Sequence, residues 1–576
     1  MGGRRSVRLV ELRVLEGPNL YFTRPAIKLT LAVPGWLAAS EERASRIARR
    51  IRVPGFVRPS RPRSEGRRRF VTRLAAHVTR TLASAAGSQL AVRARTGHEL
   101  DQIVVAFPWR RRDAAEALGR EVAELLGLLL GSRRPFRALV SDGSRRLGDL
   151  DPGPTPTVPR PKVPVVAVTG TNGKTTTVRL LAHLFRSAGR RTAYTSTDGV
   201  YLDDRLVEEG DYSGPSGAGK ALSKPGVEAV VLEVARGGIL LKGIGAAHND
   251  VSVVTNVSAD HLGLHGIFTL DQLAEVKATI TRVTKQDGWC VLNADDPRVL
   301  AMRRGARGRP FLFSMDPEHP AIRSALAEGG RGMAPLDGWM TLIAPGPSSR
   351  PLVRLEEVPV TLAGVSSQHV QNAMAAAAAA LGVGLSPETV VRGLRSFVLD
   401  PERNPGRANL FELDGRVIVV DYAHNEAGMT GLVEICRGLR APGAEVWLAF
   451  GSAGDRSKDI QHGFAYIGAR GADHIGLVEM RRYLRGATPE QPIANLRGGA
   501  GDAGVTDVPV FIDELHGLEW MLGGSRPQDV LGITALAQRP EIFRLMDVRG
   551  ARRVGPARCR RLVRRARGAG EPAAVR

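Results

Sequence analysis

The stretch VPVVAVT (residues 163–169) runs directly into GTNGKTT (residues 170–176), and this junction decides how the chain is read. A short, unbroken apolar run between proline and glycine is the pattern of a strand buried on both faces. The residues after it, Thr175 to Ala188, carry apolar positions at helical spacing. Glycines at such a strand–helix junction let consecutive backbone N–H groups and the helix N-terminus face an anion. Lys174 is then expected against the β- and γ-phosphates of a nucleotide, with the Thr175 hydroxyl on Mg²⁺. The loop is not the longer G-x-x-x-x-G-K-[ST] form, because Val168 stands where the first glycine belongs. Gly170, Thr171, Asn172, Gly173, Lys174, Thr175 and Thr176 are the expected nucleotide-binding residues, with ATP and Mg²⁺ as cofactors.

Strands and helices continue to alternate outward from this loop. Strands are expected at Ala229–Val234 and Val251–Asn256, and helices at Leu270–Lys285 and around Ala373–Leu381, which predicts a parallel α/β sheet. Glu233 ends one strand, where a carboxylate faces the nucleotide crevice and can meet a metal. The cluster from Thr255 to Gly263 ends another and contains Asp260 and His261; His261 is a candidate metal ligand. The segment DPERNPG (residues 400–406) marks a boundary, and residues 407–548 alternate again, with strands expected at Val417–Asp421, Val446–Phe450, His474–Glu479, Val508–Ile512 and Asp529–Ile533.

Before the loop, residues 1–150 mix strand patterns (Val7–Leu15, Ile27–Val33, Gln102–Phe107) with helical ones (Phe70–Ala85, Arg112–Leu130). The run RPSRPRSEGRRR (residues 58–69) is expected to be a loop. The proline-rich stretch 151–162 is a linker too stiff and polar for a domain interior. A net charge of +23 resides at the two ends: residues 1–160 hold 31 basic and 14 acidic side chains, and residues 551–576 hold 9 and 1. The middle is near neutral, as befits an enzyme core, whereas the ends can attract a polyanion. Residues 549–576 show charge without apolar period and are expected to be a basic disordered tail. Three cysteines in 576 residues form neither a disulfide framework nor a metal cluster. With no secretory h-region and no apolar run long enough for a membrane, a cytoplasmic protein is expected.

Taken together, GTNGKTT, Glu233, NVSADHLG (256–263), Lys277 on its helix, VLNADDP (291–297), Asn372, NPGR (404–407) and DYAHN (421–425) resemble the Mur ligase family. These are ATP-dependent amide ligases that form an acyl phosphate and let an amine attack it. Within the family, EVARGGILLKGIG (233–245) and NPGRANLFELDGRVIVVDYAHNEAG (404–428) are most similar to the cyanophycin synthetases, as are RVLEGPNLYFTRPAIKLTL (13–31) and QIVVAFPWR (102–110). Those proteins carry an ATP-grasp domain where this chain has its proline-rich linker, so the backbone-extending step is expected to be missing.

The resemblance implies a multidomain α/β protein: an α+β domain at 1–150, a central P-loop-type parallel α/β domain at 163–400 and a Rossmann-like C-terminal domain at 401–548. It implies catalytic roles for Lys174, His261, Lys277 and Arg407, with Thr175, Glu233 and His261 holding Mg²⁺ and Lys277 carbamylated. Asn372 is implied beside adenine, Arg407 on the phosphates and Asp421 at the ribose or hinge. Asp455 and Arg456, in the sequence GDR, are implied to recognise the amine; His424 is either a substrate ligand or a turn cap. The expected partners are a small amino acid or peptide, with an acidic polymer on the basic N-terminal domain and a homo-oligomeric assembly. The absence of RNP, KH and zinc-finger patterns and an aromatic content of 5% argue against nucleic acid. Two alternatives stand beside the ligase: a P-loop ATPase or kinase, and a non-catalytic polymer-binding subunit.

Overall fold

The computed structural model describes residues 7–51, 61–148, 150–260, 262–345 and 348–568. The chain divides into two units, one comprising residues 1–161, 214–219 and 234–248, the other the remaining middle segments and everything from Asn249 onward.

In the first unit, four antiparallel strands stand in the order Arg8–Leu15, Ala26–Ala32, Gln102–Pro108 and Arg93–Thr96. Helices Glu65–Ala85 and Arg112–Gly131 bury their apolar stripes, including Phe70, Leu74, Val122 and Leu126, with sheet residues Ile27, Leu29 and Phe107. The expected loop 58–69 is shorter than the sequence pattern indicates. Residues 58–60 lie outside the described residues, and the helix already begins at Glu65 because the Ser64 side chain accepts the Arg67 amide.

The second unit holds two sheets. In the larger, the strand Val165–Thr169 lies between Asn249–Val254 and Ala229–Glu233, and all three run parallel. Parallel pairing continues outward to Arg331–Leu336 on one side and Thr192–Thr195 on the other, with antiparallel strands closing both edges. The smaller sheet runs Val510–Phe511, His474–Val478, Val446–Phe450, Val530–Thr534, Arg416–Asp421, Asn409–Leu413 and Arg552–Arg553. Its first five strands are parallel and almost wholly apolar, as strands covered on both faces must be. Helix Ser367–Gly382 buries Ala373 to Ala380 completely, and these small side chains let it pack closely against the helix of the phosphate loop.

Two expectations are corrected. The helix expected over Leu270–Lys285 breaks at Ala278, resumes as the four-residue helix Thr279–Arg282 and ends there; a strand begins at Thr284. Thr284 pairs with Asn249 of the neighbouring parallel strand, so the chain is extended from that point. The tail expected to be disordered contains the strand Arg552–Arg553 and helix Pro556–Ala566. Cys559, Leu562 and Val563 form a buried i, i+3, i+4 face against helix Glu426–Leu439, and Arg558 pairs with Glu412. Residues 569–576 lie outside the described residues. No helix among the described residues is long and apolar enough to cross a membrane.

Candidate active site

The phosphate loop leaves the carboxyl end of Val165–Thr169 and enters helix Lys174–Ser187 through Gly173, whose φ of 83° lies in the left-handed region. Its neighbours crowd it. A Cβ on Gly170 would fall 1.8 Å from Thr255 Oγ1, and one on Gly173 would fall 2.1 Å from Asn372 Oδ1. Both glycines are therefore required by close approach.

The loop is held by the end of the adjacent strand. Asn256 Oδ1 accepts the amides of Thr171 (3.2 Å) and Asn172 (2.8 Å), while Thr255 Oγ1 donates to Asn172 O at 2.6 Å. From the smaller sheet, Asn425 forms a reciprocal amide pair with Asn172, each Nδ2 donating to the other's Oδ1 at 3.1 Å. Asn425 also caps helix Glu426–Leu439 by accepting the Gly428 amide. Asn256 and Asn425 stand in the motifs NVSADHLG and DYAHN, which by themselves give neither residue a role. The second carried a usable signal, as an asparagine standing just before a helical pattern.

Lys174 Nζ donates to Thr171 O at 2.9 Å, so the ammonium rests on its own loop. Lys277, almost fully buried, donates to Gly170 O at 2.6 Å from the end of its helix. Thr175 Oγ1 donates to Glu233 Oε2 at 2.9 Å, and the Glu233 amide donates to Thr195 Oγ1. Burial pushes the Glu233 carboxyl above its ordinary range, opposed by the nearby Lys174 charge and the Thr175 hydrogen bond. Its other oxygen, Oε1, is shielded from water and has no hydrogen-bond partner among the described residues. A buried carboxylate oxygen left in this way suits a hard cation, and with the Thr175 hydroxyl it fits Mg²⁺. His261 lies outside the described residues. Among the described residues no group of three His, Cys, Asp or Glu side chains could hold a metal.

The smaller sheet contributes Asp421, at the end of Arg416–Asp421. Its Oδ2 accepts the Ala408 amide at 2.8 Å, and burial raises its pKa against the pull of Arg407. The Arg407 guanidinium lies 4.6 Å over the Tyr422 ring. Together with Thr197, Asp198, Tyr483 and Arg539, these two residues help line a cavity of about 290 Å³. Asn372 is buried on the Ala-rich helix, and one turn earlier burial lowers the pKa of His369 to about 4, helped by the Arg407 charge.

The GDR segment is organised differently. Arg456 Nη1 pairs with Asp260, the residue before His261, and His424 Nε2 lies 3.7 Å from the same carboxylate. His424 Nδ1 lies 2.9 Å from Tyr422 O. Asp455 pairs with Arg485 at 2.5 Å. Lys174, Thr175, Glu233, Lys277 and Asn372 thus converge on the phosphate loop, whereas Asp455 and Arg456 are engaged by charges of the protein itself.

Comparison with known proteins agrees with this architecture. Residues 168–380 match the Mur ligase middle domain, and residues 406–535 the Mur ligase glutamate ligase domain. A cyanophycin synthetase of Crocosphaera subtropica is 40% identical over 365 residues, 63% of this chain and 41% of that protein. The chain therefore spans about two fifths of the length of this relative. A UDP-N-acetylmuramoyl-L-alanyl-D-glutamate–2,6-diaminopimelate ligase of Alkalilimnicola ehrlichii is 30% identical over 380 residues, covering 65% of this chain and 71% of that enzyme. Among solved structures, E. coli FolC in complex with DHPP and ADP superposes with a TM-score of 0.51 at 20% identity, over 68% of this chain and 91% of that one, which shows a shared fold.

Proposed function

The chain belongs to the Mur ligase family of ATP-dependent amide ligases, and from that premise we propose that it joins a carboxylate to an amine through an acyl phosphate. A carboxylate oxygen attacks the γ-phosphorus and ADP departs. The amine nitrogen then attacks the acyl carbon, phosphate leaves, and one proton is released. Bringing an anion to a triphosphate is opposed by charge repulsion, so the site must supply positive charge and exact positioning.

The observation that carries this reading is the Glu233 carboxylate, buried beside Lys174 with one oxygen on the Thr175 hydroxyl and the other without a partner among the described residues. Mg²⁺ held by Thr175 and Glu233 would neutralise phosphate charge. Lys174 leaves a neutral carbonyl to meet phosphate oxygens, and the helix N-terminus adds its dipole. Asp421 accepts the Ala408 amide and so fixes the backbone next to Arg407, the residue we assign to the phosphates. Lys277, buried against Gly170, is the residue we assign to carbamylation; the carbamate would turn a cation at the floor of the loop into an anion. His261 is assigned to the metal site from sequence alone. Asp455 and Arg456 are assigned to the amine substrate, and the family's ribose and adenine roles to Asp421 and Asn372.

We assign the chain the side-chain-joining type of reaction, without an ATP-grasp step, because the linker 151–162 stands where that domain would be inserted. The substrates proposed are an amino acid and an aspartate-containing peptide or acidic polymer, the polymer drawn by the basic residues 1–160, in a cytoplasmic setting. The test is ADP release by the protein with Mg-ATP, screened over amino acids paired with aspartate-containing peptides and followed by mass spectrometry. A new amide formed in step with ADP is expected; ADP without amide would reduce the protein to an ATPase.

A further inference from the structure

Arg407 sits at the end of the segment Asp400–Arg407, which has no helix or strand of its own to fix its course. Two arginines from remote elements hold its backbone. Arg179, on the phosphate-loop helix, donates through Nη1 to Arg403 O at 2.6 Å and Asn404 Oδ1 at 3.4 Å. Arg539, at the start of helix Arg539–Val548, donates through Nη1 to Pro405 O at 3.4 Å. Its side chain packs so closely that a Cβ on Gly406 (φ 69°) would fall 2.8 Å from Arg539 Cδ.

Both arginines turn their other terminal nitrogen to a single carboxylate. Asp198 Oδ2 accepts Arg179 Nη2 at 2.6 Å, and Asp198 Oδ1 accepts Arg539 Nη2 at 3.4 Å. Asp198 is itself anchored just beyond the strand Thr192–Thr195: its amide donates to Ser196 Oγ, and its carbonyl accepts the Gly210 amide. Arg179 is only 4% exposed, so its charge needs a partner of opposite sign to remain buried. One carboxylate thus orients two guanidinium groups, and these grip the carbonyls of residues 403 and 405, just before the arginine expected at the phosphates.

We propose that Asp198 is a positioning residue for Arg407, acting through Arg179 and Arg539 on the 403–406 backbone. This rests on the reading that Arg407 contacts the nucleotide phosphates. Neutralising Asp198 as asparagine removes its charge and one of its two acceptor oxygens, so both guanidinium groups can no longer be held at once; the carbonyl grip loosens and Arg407 drifts.

The test uses the full chain and the non-hydrolysable analogue AMP-PNP with Mg²⁺, with affinity read by titration calorimetry and folding by thermal melting. Arg407→Ala is expected to weaken binding by roughly 30-fold and Asp198→Asn by about 10-fold, the sizes typical of charge-assisted contacts. The double variant should bind within about twofold of Arg407→Ala alone, because the two residues act in series. If Asp198→Asn fails to melt cooperatively, Arg539→Gln severs the Pro405 link from its more exposed side, and an approximately threefold loss, absent in the Arg407→Ala background, is expected. Wild-type affinity in Asp198→Asn, or a loss that adds fully to that of Arg407→Ala, overturns the inference while leaving the nucleotide reading intact. Wild-type affinity in Arg407→Ala overturns both.

Discussion

The phosphate loop and the GDR segment lie in the same unit, yet their charged groups are held in opposite ways. Lys174 rests on a neutral carbonyl of its own loop, and Glu233 keeps one buried oxygen without a partner among the described residues. Arg456 and Asp455 are instead bound to full opposite charges, Asp260 and Arg485. A hydrogen bond to a neutral carbonyl is readily exchanged for one to phosphate, whereas a charged pair must be replaced by a ligand of equal charge. On the proposed roles, the loop is prepared for a nucleotide in advance, whereas the GDR segment would take an amine substrate only by exchanging partners.

This contrast can be broken most sharply at Lys174. Lys174→Ala should lower ATP turnover by about 10³-fold, measured as ADP release, since it removes a cation facing developing phosphate charge; near-normal turnover would end the phosphate-loop assignment. Lys277→Ala should lose about 10²-fold and recover in part with added formate or acetate, as expected if a carbamate is the working group. Full activity without additive would remove Lys277 from the mechanism. On the other side of the comparison, Arg456→Ala should raise the KM for the amine by about 10-fold and leave the KM for ATP unchanged, the pattern of lost ground-state binding. A change confined to ATP would move Arg456 to the nucleotide. Asn425→Ala removes both a helix cap and the Asn172 pair, and is expected to cost about 1 kcal/mol of stability with a few-fold rise in the KM for ATP.

The remaining expected effect is one of pH. His369 is buried with its pKa near 4, below the ordinary value of 6.5, so the folded protein binds fewer protons than the unfolded chain between those limits. Stability from this group is present above pH 6.5, is lost as pH falls toward 4, and at pH 5 the loss is about 2 kcal/mol. Thermal melting at pH 7 and pH 5 reads it, and His369→Asn should flatten the dependence. An unchanged slope would mean that His369 is not buried as the neutral imidazole.

The phosphate loop was legible because its geometry is local. A buried strand, a glycine turn and a helix start lie within fourteen consecutive residues, so backbone physics places the amides. The place of Glu233 was legible for a related reason, since it ends a parallel strand at the crevice; the role expected of Asp421 rested on the resemblance to the Mur ligases. The Leu270–Lys285 helix was overextended by a few residues, because helical spacing persists to the point where Thr284 enters the sheet beside Asn249. The C-terminal helix was missed because Cys559, Leu562 and Val563 are sparse among arginines, although their spacing carried the signal.

By itself, then, the sequence determined the layered α/β plan, the strand–glycine–helix loop and the place of Glu233 at a strand end, all of which follow from periodicity and from interactions between near neighbours. The tertiary structure alone decided which distant groups meet: Asn172 with Asn425, Asp260 with Arg456, and Asp198 with Arg179 and Arg539. Such pairings join residues up to several hundred positions apart. They depend on strand order and packing, which no local pattern of residue types encodes.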